Sequence, residues 1–426
     1  MAGRRVPVRR MMTSLVALSM LASACGGSER QGDAGQGATG RAVSAEALAS
    51  MPWDSVVGAA RGTTVTWRMW RGDPSINAYV DGWVAPRLRD EYGITLEAIE
   101  GQGAELVNAL VTEREARGSR PGTASLLWIN GETFAALRAE QLLSGPWARA
   151  IPNAALIDTA SPIIARDFEA DPAGFESPWG TVQWALVFDS ARTPLPPRSA
   201  SELRAWILAH PGRFTHDQSF TGVTFLKTMM YALGGGVSRF AGGFREADYL
   251  AGRDSLFQWL DATRASFWRG GTTYPPDVAA MHRLFANREI DVTMTNNHRE
   301  VAAKIRAGVL PPTARALLLR DGAIANSHYV GIPFNAPNPA GAMVVANFLL
   351  SPDAQWEKAG LDVWGDGTVL NVTQLPAPWP DRFRGRVQTP GEIPVDTLTR
   401  YARPEVAPEY HNRLQADWRA RYRGSP

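Results

Sequence analysis

Three short polar breaks follow apolar runs in this sequence: Trp70-Arg71-Gly72-Asp73 after TTVTWRM, Asn130-Gly131-Glu132 after ASLLWI, and Asn296-Asn297 after IDVTMT. Amide and acid side chains at such places make hydrogen bonds, and glycine lets backbone N–H groups approach a ligand. Indoles add flat faces that stack or hold a cation. The same composition recurs at Pro178-Trp179-Gly180 with Trp184 nearby, at Phe220-Thr221-Gly222 and at Asn326–Tyr329. These residue types suit non-covalent capture of a small, polar, nitrogen-containing organic molecule, with sugars second. The candidate ligand contacts are Trp70, Gly72, Asp73, Asn130, Gly131, Glu132, Trp179, Trp184, Thr221, Gly222, Asn296, Asn297 and Tyr329. Asp73 before Pro74 equally suits a helix cap, Glu132 equally suits the first turn of a helix, and each tryptophan equally suits a core.

Signals for covalent or metal chemistry are weak. The sequence has no G-x-S-x-G, no H-E-x-x-H and no P-loop. Gly234-Gly235-Gly236 lacks a following Lys-Ser/Thr and reads as a helix end. Its 6 histidines are scattered without paired metal spacing, so no metal or cofactor is expected. Paired carboxylates are assembled by a fold rather than by spacing. A lipid-anchored glycan hydrolase therefore stays as one alternative, and a transporter-free solute sensor as another.

The elements that would position these residues follow from periodicity. Stretches 63–69, 94–99 and 124–129 read as strands, and 76–92, 105–116 and 133–141 as helices. That alternation predicts an α/β fold with a parallel, doubly wound sheet, in which ligands bind outside the carboxyl ends of strands. Residues 178–190 read as an extended segment crossing to a second α/β unit. There Ser199 and Glu202 form a capping box, 213–216 and 290–295 read as strands, and 223–233, 256–267 and 276–286 as helices. Stretches 316–319 and 329–332 are strand-like, and Asn338-Pro339 and Ser351-Pro352 start helices. Two lobes with a hinge and a cleft between them result: 51–182 and 314–350 for the first, 183–313 and 351–426 for the second.

The N-terminus reads as an export signal. Arg4 to Arg10 precede a short apolar run, Met11 to Leu21, then small residues and Cys25, the only cysteine. The run is shorter than the ~20 residues a membrane span needs. Leu21-Ala22-Ser23-Ala24-Cys25 has the form of a lipobox. Residues 1–24 are thus expected to be a signal peptide, Cys25 to be lipidated, and 25–50 to be a flexible tether. Removing the four arginines in 1–24 takes the formal charge from +2 to −2. No basic stripe then remains for nucleic acid, and a monomer anchored only by its lipid is expected in the cell envelope.

Trp70-Arg71-Gly72-Asp73-Pro74-Ser75-Ile76-Asn77, Leu127-Trp128-Ile129-Asn130-Gly131-Glu132-Thr133-Phe134 and Leu143-Ser144-Gly145-Pro146 resemble ABC transporter solute-binding lipoproteins of the YnjB-like branch. That branch is related to thiamine, polyamine and iron receptors. Pro178-Trp179-Gly180 with Gln183, and Phe220-Thr221-Gly222, extend the likeness over about 55–365. The resemblance implies a type II periplasmic-binding-protein (Venus-flytrap) fold, a small-molecule ligand, and delivery to a permease and ATPase encoded elsewhere. Ferric-ion receptors of the wider group use adjacent tyrosines, and His328-Tyr329 stands here instead, which argues against iron.

Overall fold

The apolar runs become strands of two separate sheets. A computed structural model describes residues 43–117, 121–386 and 392–423. The expected signal peptide and Cys25 lie outside the described residues.

The first sheet has the order β2-β1-β3-β8-β4, with β1 Thr64–Met69, β2 Thr95–Glu100, β3 Leu126–Ile129, β4 Glu176–Gln183 and β8 Ala323–Gly331. A two-residue strand, β9 Ala402–Arg403, runs parallel on β8. The second sheet has the order β6-β5-β7, with β5 Ala185–Asp189, β6 Val292–Thr295 and β7 Ala314–Leu317.

The parallel pairing expected from the alternation at 63–142 holds for β2-β1-β3, but it does not extend to the crossing strands. β8 is antiparallel to β3 and β4, and β5 is antiparallel to both its neighbours. The reason is connectivity. β4 and β5 form one outward crossing, interrupted at Trp184, and β8 carries the chain back. Outward and return strands paired side by side must run in opposite directions. Their register extends from Glu176↔Gly331 to Gln183↔Ala325, with a bulge between Pro178 and Gly180.

Local chemistry explains most boundaries. The helical stretch from Pro74 to Tyr92 contains a π-helical turn, Val80–Val84, and ends at Gly93, whose φ of 68° suits a residue without Cβ. Ser199 Oγ accepts from the Glu202 N–H, while Glu202 reaches back one residue further than a capping box, to the Arg198 N–H. Asn338 and Ser351 cap the helices Pro339–Leu349 and Pro352–Lys358 as expected. Residues 213–216 do not form a strand. Their carbonyls accept instead from the Asp291 and Trp268 N–H groups, at 2.9 and 2.7 Å. Before β1, Ala45–Ala49 forms a helix whose Ala45 and Leu48 are buried.

Each sheet has its own apolar core. Trp67, Tyr79, Trp179, Trp364 and Leu370 pack around the first, and Trp184, Phe225, Tyr410, Leu414 and Trp418 around the second. His216 is wholly buried in the second, beside Tyr274 and Trp418 at 4.9 and 5.1 Å between ring centroids. Its Nδ1–H donates to the Asp217 carbonyl at 2.9 Å, and Nε2 has no partner. Burial therefore lowers its pKa from 6.5 to about 4. A depressed histidine contributes stability that is whole above pH 6.5 and is lost as pH falls toward 4, here about 3 kcal/mol. His216→Phe should consequently lose less stability than wild type between pH 7.5 and 4.5. Parallel acid-induced losses in urea melts of the two proteins would refute this.

Candidate functional site

The carboxyl end of β1 and the helix after β6 meet across the two cores. Asp73 Oδ1 accepts from the Ser75 and Ile76 N–H groups, capping the helix Pro74–Tyr79. Its Oδ2 accepts from Lys304 Nζ at 2.6 Å, on helix Glu300–Arg306. Asp73 thus serves both as a cap and as a cross-lobe partner. Behind Lys304, the Glu300 carboxylate accepts from the Thr295 hydroxyl and lies 3.6 Å from His282 Nε2. Burial would raise its pKa, but Lys304, His282 and Thr295 outweigh burial and bring it down to about 2. Trp70 is half-buried and Gly72 exposed, and a Cβ on Gly72 would lie 2.5 Å from the Trp70 indole nitrogen. Arg71 turns to Asp81, Nη1 to Oδ1 at 3.0 Å.

The carboxyl end of β3 leads into helix Gly131–Ala139. Asn130 makes no side-chain cap, and its Oδ1 and Glu132 Oε2 are buried without partners. A hairpin at Asp167–Ala170, closed by reciprocal N–H···O bonds of 3.0 and 2.8 Å, lies over this helix start. Phe168 and Glu169 at its tip have φ of 45° and 65°, a conformation costly for residues with Cβ. A Cβ on Gly131 would lie 2.0 Å from the Phe168 ring, so only glycine admits it. Glu169 accepts from the Gly242 and Gly243 N–H groups at 2.9 and 3.0 Å, linking the hairpin to the second lobe.

Lys227 stands under the same hairpin. It is buried in helix Phe220–Leu233, donates to Glu405 Oε2 at 2.6 Å, and lies 4.4 Å from the Phe168 ring centroid. Asn326 donates to the other Glu405 oxygen at 3.2 Å. A cavity of about 170 Å³ adjoins this group, lined in part by Phe168, Glu169, Asn326 and Glu405.

The second sheet contributes Asp217, whose Oδ1 accepts from the Ser219 N–H at 2.7 Å and the Gly222 N–H at 3.1 Å. Thr221 Oγ1 accepts from Asn296 Nδ2 at 3.0 Å. Asn297 donates to the Gly365 carbonyl at 3.3 Å and accepts from the Arg299 N–H at 3.1 Å. A second cavity, about 480 Å³, lies beside Gln183, Asn297, Arg299 and Ala325. A larger one of about 660 Å³, lined by Arg253, Asp261 and Arg421 among others, includes none of the residues expected at a site.

The structure therefore joins Asp73 to the second lobe, Thr221 to Asn296, and Asn130-Gly131-Glu132 to the hairpin. It puts the other aromatic candidates elsewhere. Trp179 and Trp184 are at most 1% exposed, and Tyr329 is wholly buried with its hydroxyl donating to the Ile164 carbonyl at 3.0 Å. All three pack in cores. Lys227, Asp217, Asp167 and Lys304 are functional candidates that sequence reasoning missed. Lys227 had a signal, a lone cation in the apolar run FTGVTFLKTMM. Among the described residues no group of three or more His, Cys, Asp or Glu is placed to hold a metal ion, and no helix is long and apolar enough to cross a membrane.

Comparison with known proteins adds three findings. A family model described as bacterial extracellular solute-binding protein matches residues 83–382. Protein YnjB of Escherichia coli (strain K12) is 35% identical over 373 residues, 87% of this chain and 94% of that protein. Solved structures with the same fold include a putative spermidine/putrescine ABC transporter protein from Listeria monocytogenes (TM-score 0.57, 17% identity, 84% of this chain, 99% of that one). Another is the periplasmic binding protein AfuA from Actinobacillus pleuropneumoniae with fructose-6-phosphate bound (TM-score 0.59, 13% identity, 85% and 98%). The architecture is accordingly the two-lobed α/β fold of type II periplasmic binding proteins.

Proposed function

Because this chain belongs to the bacterial extracellular solute-binding proteins, we propose that it captures a small polar organic solute between its lobes and hands it to an ABC permease and ATPase. The observation that carries this reading is the Asp73–Lys304 ion pair at 2.6 Å, which ties the loop after β1 to the helix after β6. Loops at strand ends then face one another across the crossing strands, as a receptor closing by hinge motion requires. Members of this family are exported and bind solutes rather than transform them, which supports a receptor over a hydrolase. In our reading Cys25 carries a lipid, 1–24 is removed on export, and the protein works as a monomer. The lobes divide at Gln183 and near 314, and the stretch from Pro352 to Leu375 goes with the first lobe, whose core holds Trp364 and Leu370. The proposed ligand-facing residues are Trp70, Gly72, Asp73, Asn130, Gly131, Glu132, Thr221, Gly222, Asn296 and Asn297.

The test is a thermal-shift screen of ligand-stripped protein against amino acids, polyamines, thiamine and its phosphates, and sugars. One class should raise the melting point by several degrees, since a ligand at a hundred times its Kd contributes about 2.7 kcal/mol. Lys304→Ala should weaken that solute roughly 10-fold, because the closed form loses about 1.4 kcal/mol relative to the open one. A flat screen, or unchanged affinity in Lys304→Ala, would count against the reading.

A further inference from the structure

Two arginines line one cavity in which neither meets a carboxylate. Arg299 follows Asn297 in the loop after β6. Its side chain makes no hydrogen bond or ion pair among the described residues, and its Nε is buried without a partner. Arg386 is half committed. Nη2 donates to the Trp356 carbonyl, the guanidinium lies 4.1 Å from the Trp356 ring centroid, and Nη1 is buried without a partner. A guanidinium offers five N–H donors and no acceptor, so what both groups lack is an acceptor.

The cavity is about 370 Å³, and His298, Arg384, Glu392 and Leu398 are also on its wall. The other bases there do not compete. Arg384 pairs with Asp381 and donates to the Pro380 carbonyl at 3.2 Å. Burial, then Arg299, bring the His298 pKa down to about 3, so it is neutral. Glu392 is the only acid on this wall among the described residues, against three arginines, and it forms no ion pair with any of them. Burial, then Arg299, lower the Arg386 pKa to about 10, as two cations facing one unfilled space would. A neighbouring cavity of about 480 Å³ shares His298, Arg299 and Leu398 with the first, and adds Thr181, Gln183, Asn297 and Gly367. Arg299 thus lines both cavities, beside the crossing strand β4 and the end of β6.

We propose that Arg299 and Arg386 receive an oxyanion of the solute, a carboxylate or a phosphoryl group, while the rest of the solute extends past Arg299 into the cavity beside Gln183 and Asn297. Planar guanidinium donors match the paired oxygens of either group. Glu392 Oε1, buried without a partner, is then open to a hydroxyl or N–H on the same solute. The assignment rests on the receptor reading above and narrows its solute to an anionic class.

The experiment measures binding to the full, ligand-stripped protein by calorimetry with two matched pairs, succinate with succinamide and glucose 6-phosphate with glucose. At least one anion should bind, 10-fold or more tightly than its neutral partner, and the pair that responds tells a carboxylate from a phosphoryl group. Arg299→Gln should cost that anion 10-fold or more in affinity. Its melting point without ligand should stay or rise, because the change removes a cation that no described residue pairs. An arginine with a structural role alone would do the opposite, lowering the melting point and sparing affinity. Arg299→Lys, which keeps the charge but not the fork of donors, should fall between Arg299→Gln and wild type. If the neutral partners bind as tightly as the anions, or Arg299→Gln binds the anion like wild type, the oxyanion assignment falls while the receptor reading stands. If none of the four probes binds, the oxyanion assignment falls, and a flat response in the wider solute screen would take the receptor reading with it.

Discussion

Lys358→Met is expected to lower the unfolding free energy by about 3–5 kcal/mol, the cost of leaving one member of a buried ion pair without the other. Lys358 and Asp366 are both wholly buried in the first lobe, with Nζ donating to Oδ2 at 2.7 Å. His328 Nε2 is 3.1 Å from the same oxygen, and its ring lies among Trp128, Trp179 and Trp364 at centroid distances of 4.9, 4.9 and 5.5 Å. Asp366 Oδ1 already lacks a partner, and without the lysine only His328 is left on Oδ2. Burial pushes the Asp366 pKa up, but His328 and Lys358 together hold it below the ordinary value. A depressed carboxyl stabilises above its unfolded pKa, and that contribution is lost as pH falls through the folded one. The gap between wild type and Lys358→Met should therefore be widest near neutrality and shrink in acid. Urea melts at pH 7 and at pH 4 measure it, and equal stabilities at pH 7 would sink the argument.

The second large effect belongs to Gly222→Ala. A Cβ at this position would lie 1.9 Å from the Asp217 carbonyl oxygen. That oxygen cannot simply retreat, because it also accepts from His216 Nδ1 at 2.9 Å. The loop must shift, which costs about 1–3 kcal/mol as overpacking and breaks the Asp217 bonds to the Ser219 and Gly222 N–H groups. It also displaces Thr221, hydrogen-bonded to Asn296 at 3.0 Å. A lowered melting point and a 10-fold or greater loss in affinity for the cognate solute are expected. Gly58→Ala is the control. It lies in helix Trp53–Ala60 with no atom within 4 Å of a new Cβ, and should gain roughly 0.5–1 kcal/mol. A Gly222→Ala protein that melts like the Gly58→Ala protein would contradict the steric argument.

How much of this was legible in the sequence follows the kind of signal. The strand ends at Asn130 and Asn296 stood out because an amide interrupts a run of apolar residues, a conflict that a core would not tolerate. The outward crossing at 178–190 was legible for the converse reason, eight or more extended residues without helical period. Aromatic residues gave no such discrimination. Trp179, Trp184 and Tyr329 satisfy the same pattern as Trp70, and only tertiary packing decides which face a ring turns. The antiparallel return of β8 was not legible either, since strand direction depends on which neighbour a segment meets, not on its own residues. Asp167 was hidden because its role comes from a hairpin with two left-handed residues, Phe168 and Glu169, neither of them a usual choice there.

The Lys227–Glu405 pair spans 178 positions of chain. During synthesis the lysine emerges long before its counterion, and a lysine in an apolar helix with no acid to meet is a standing penalty of several kcal/mol. The second lobe then cannot consolidate around helix Phe220–Leu233 until the segment carrying Glu405 and β9 arrives, and contacts this distant in sequence form slowly. A core that closes only when the last fifth of the chain arrives keeps the second lobe open until late in synthesis.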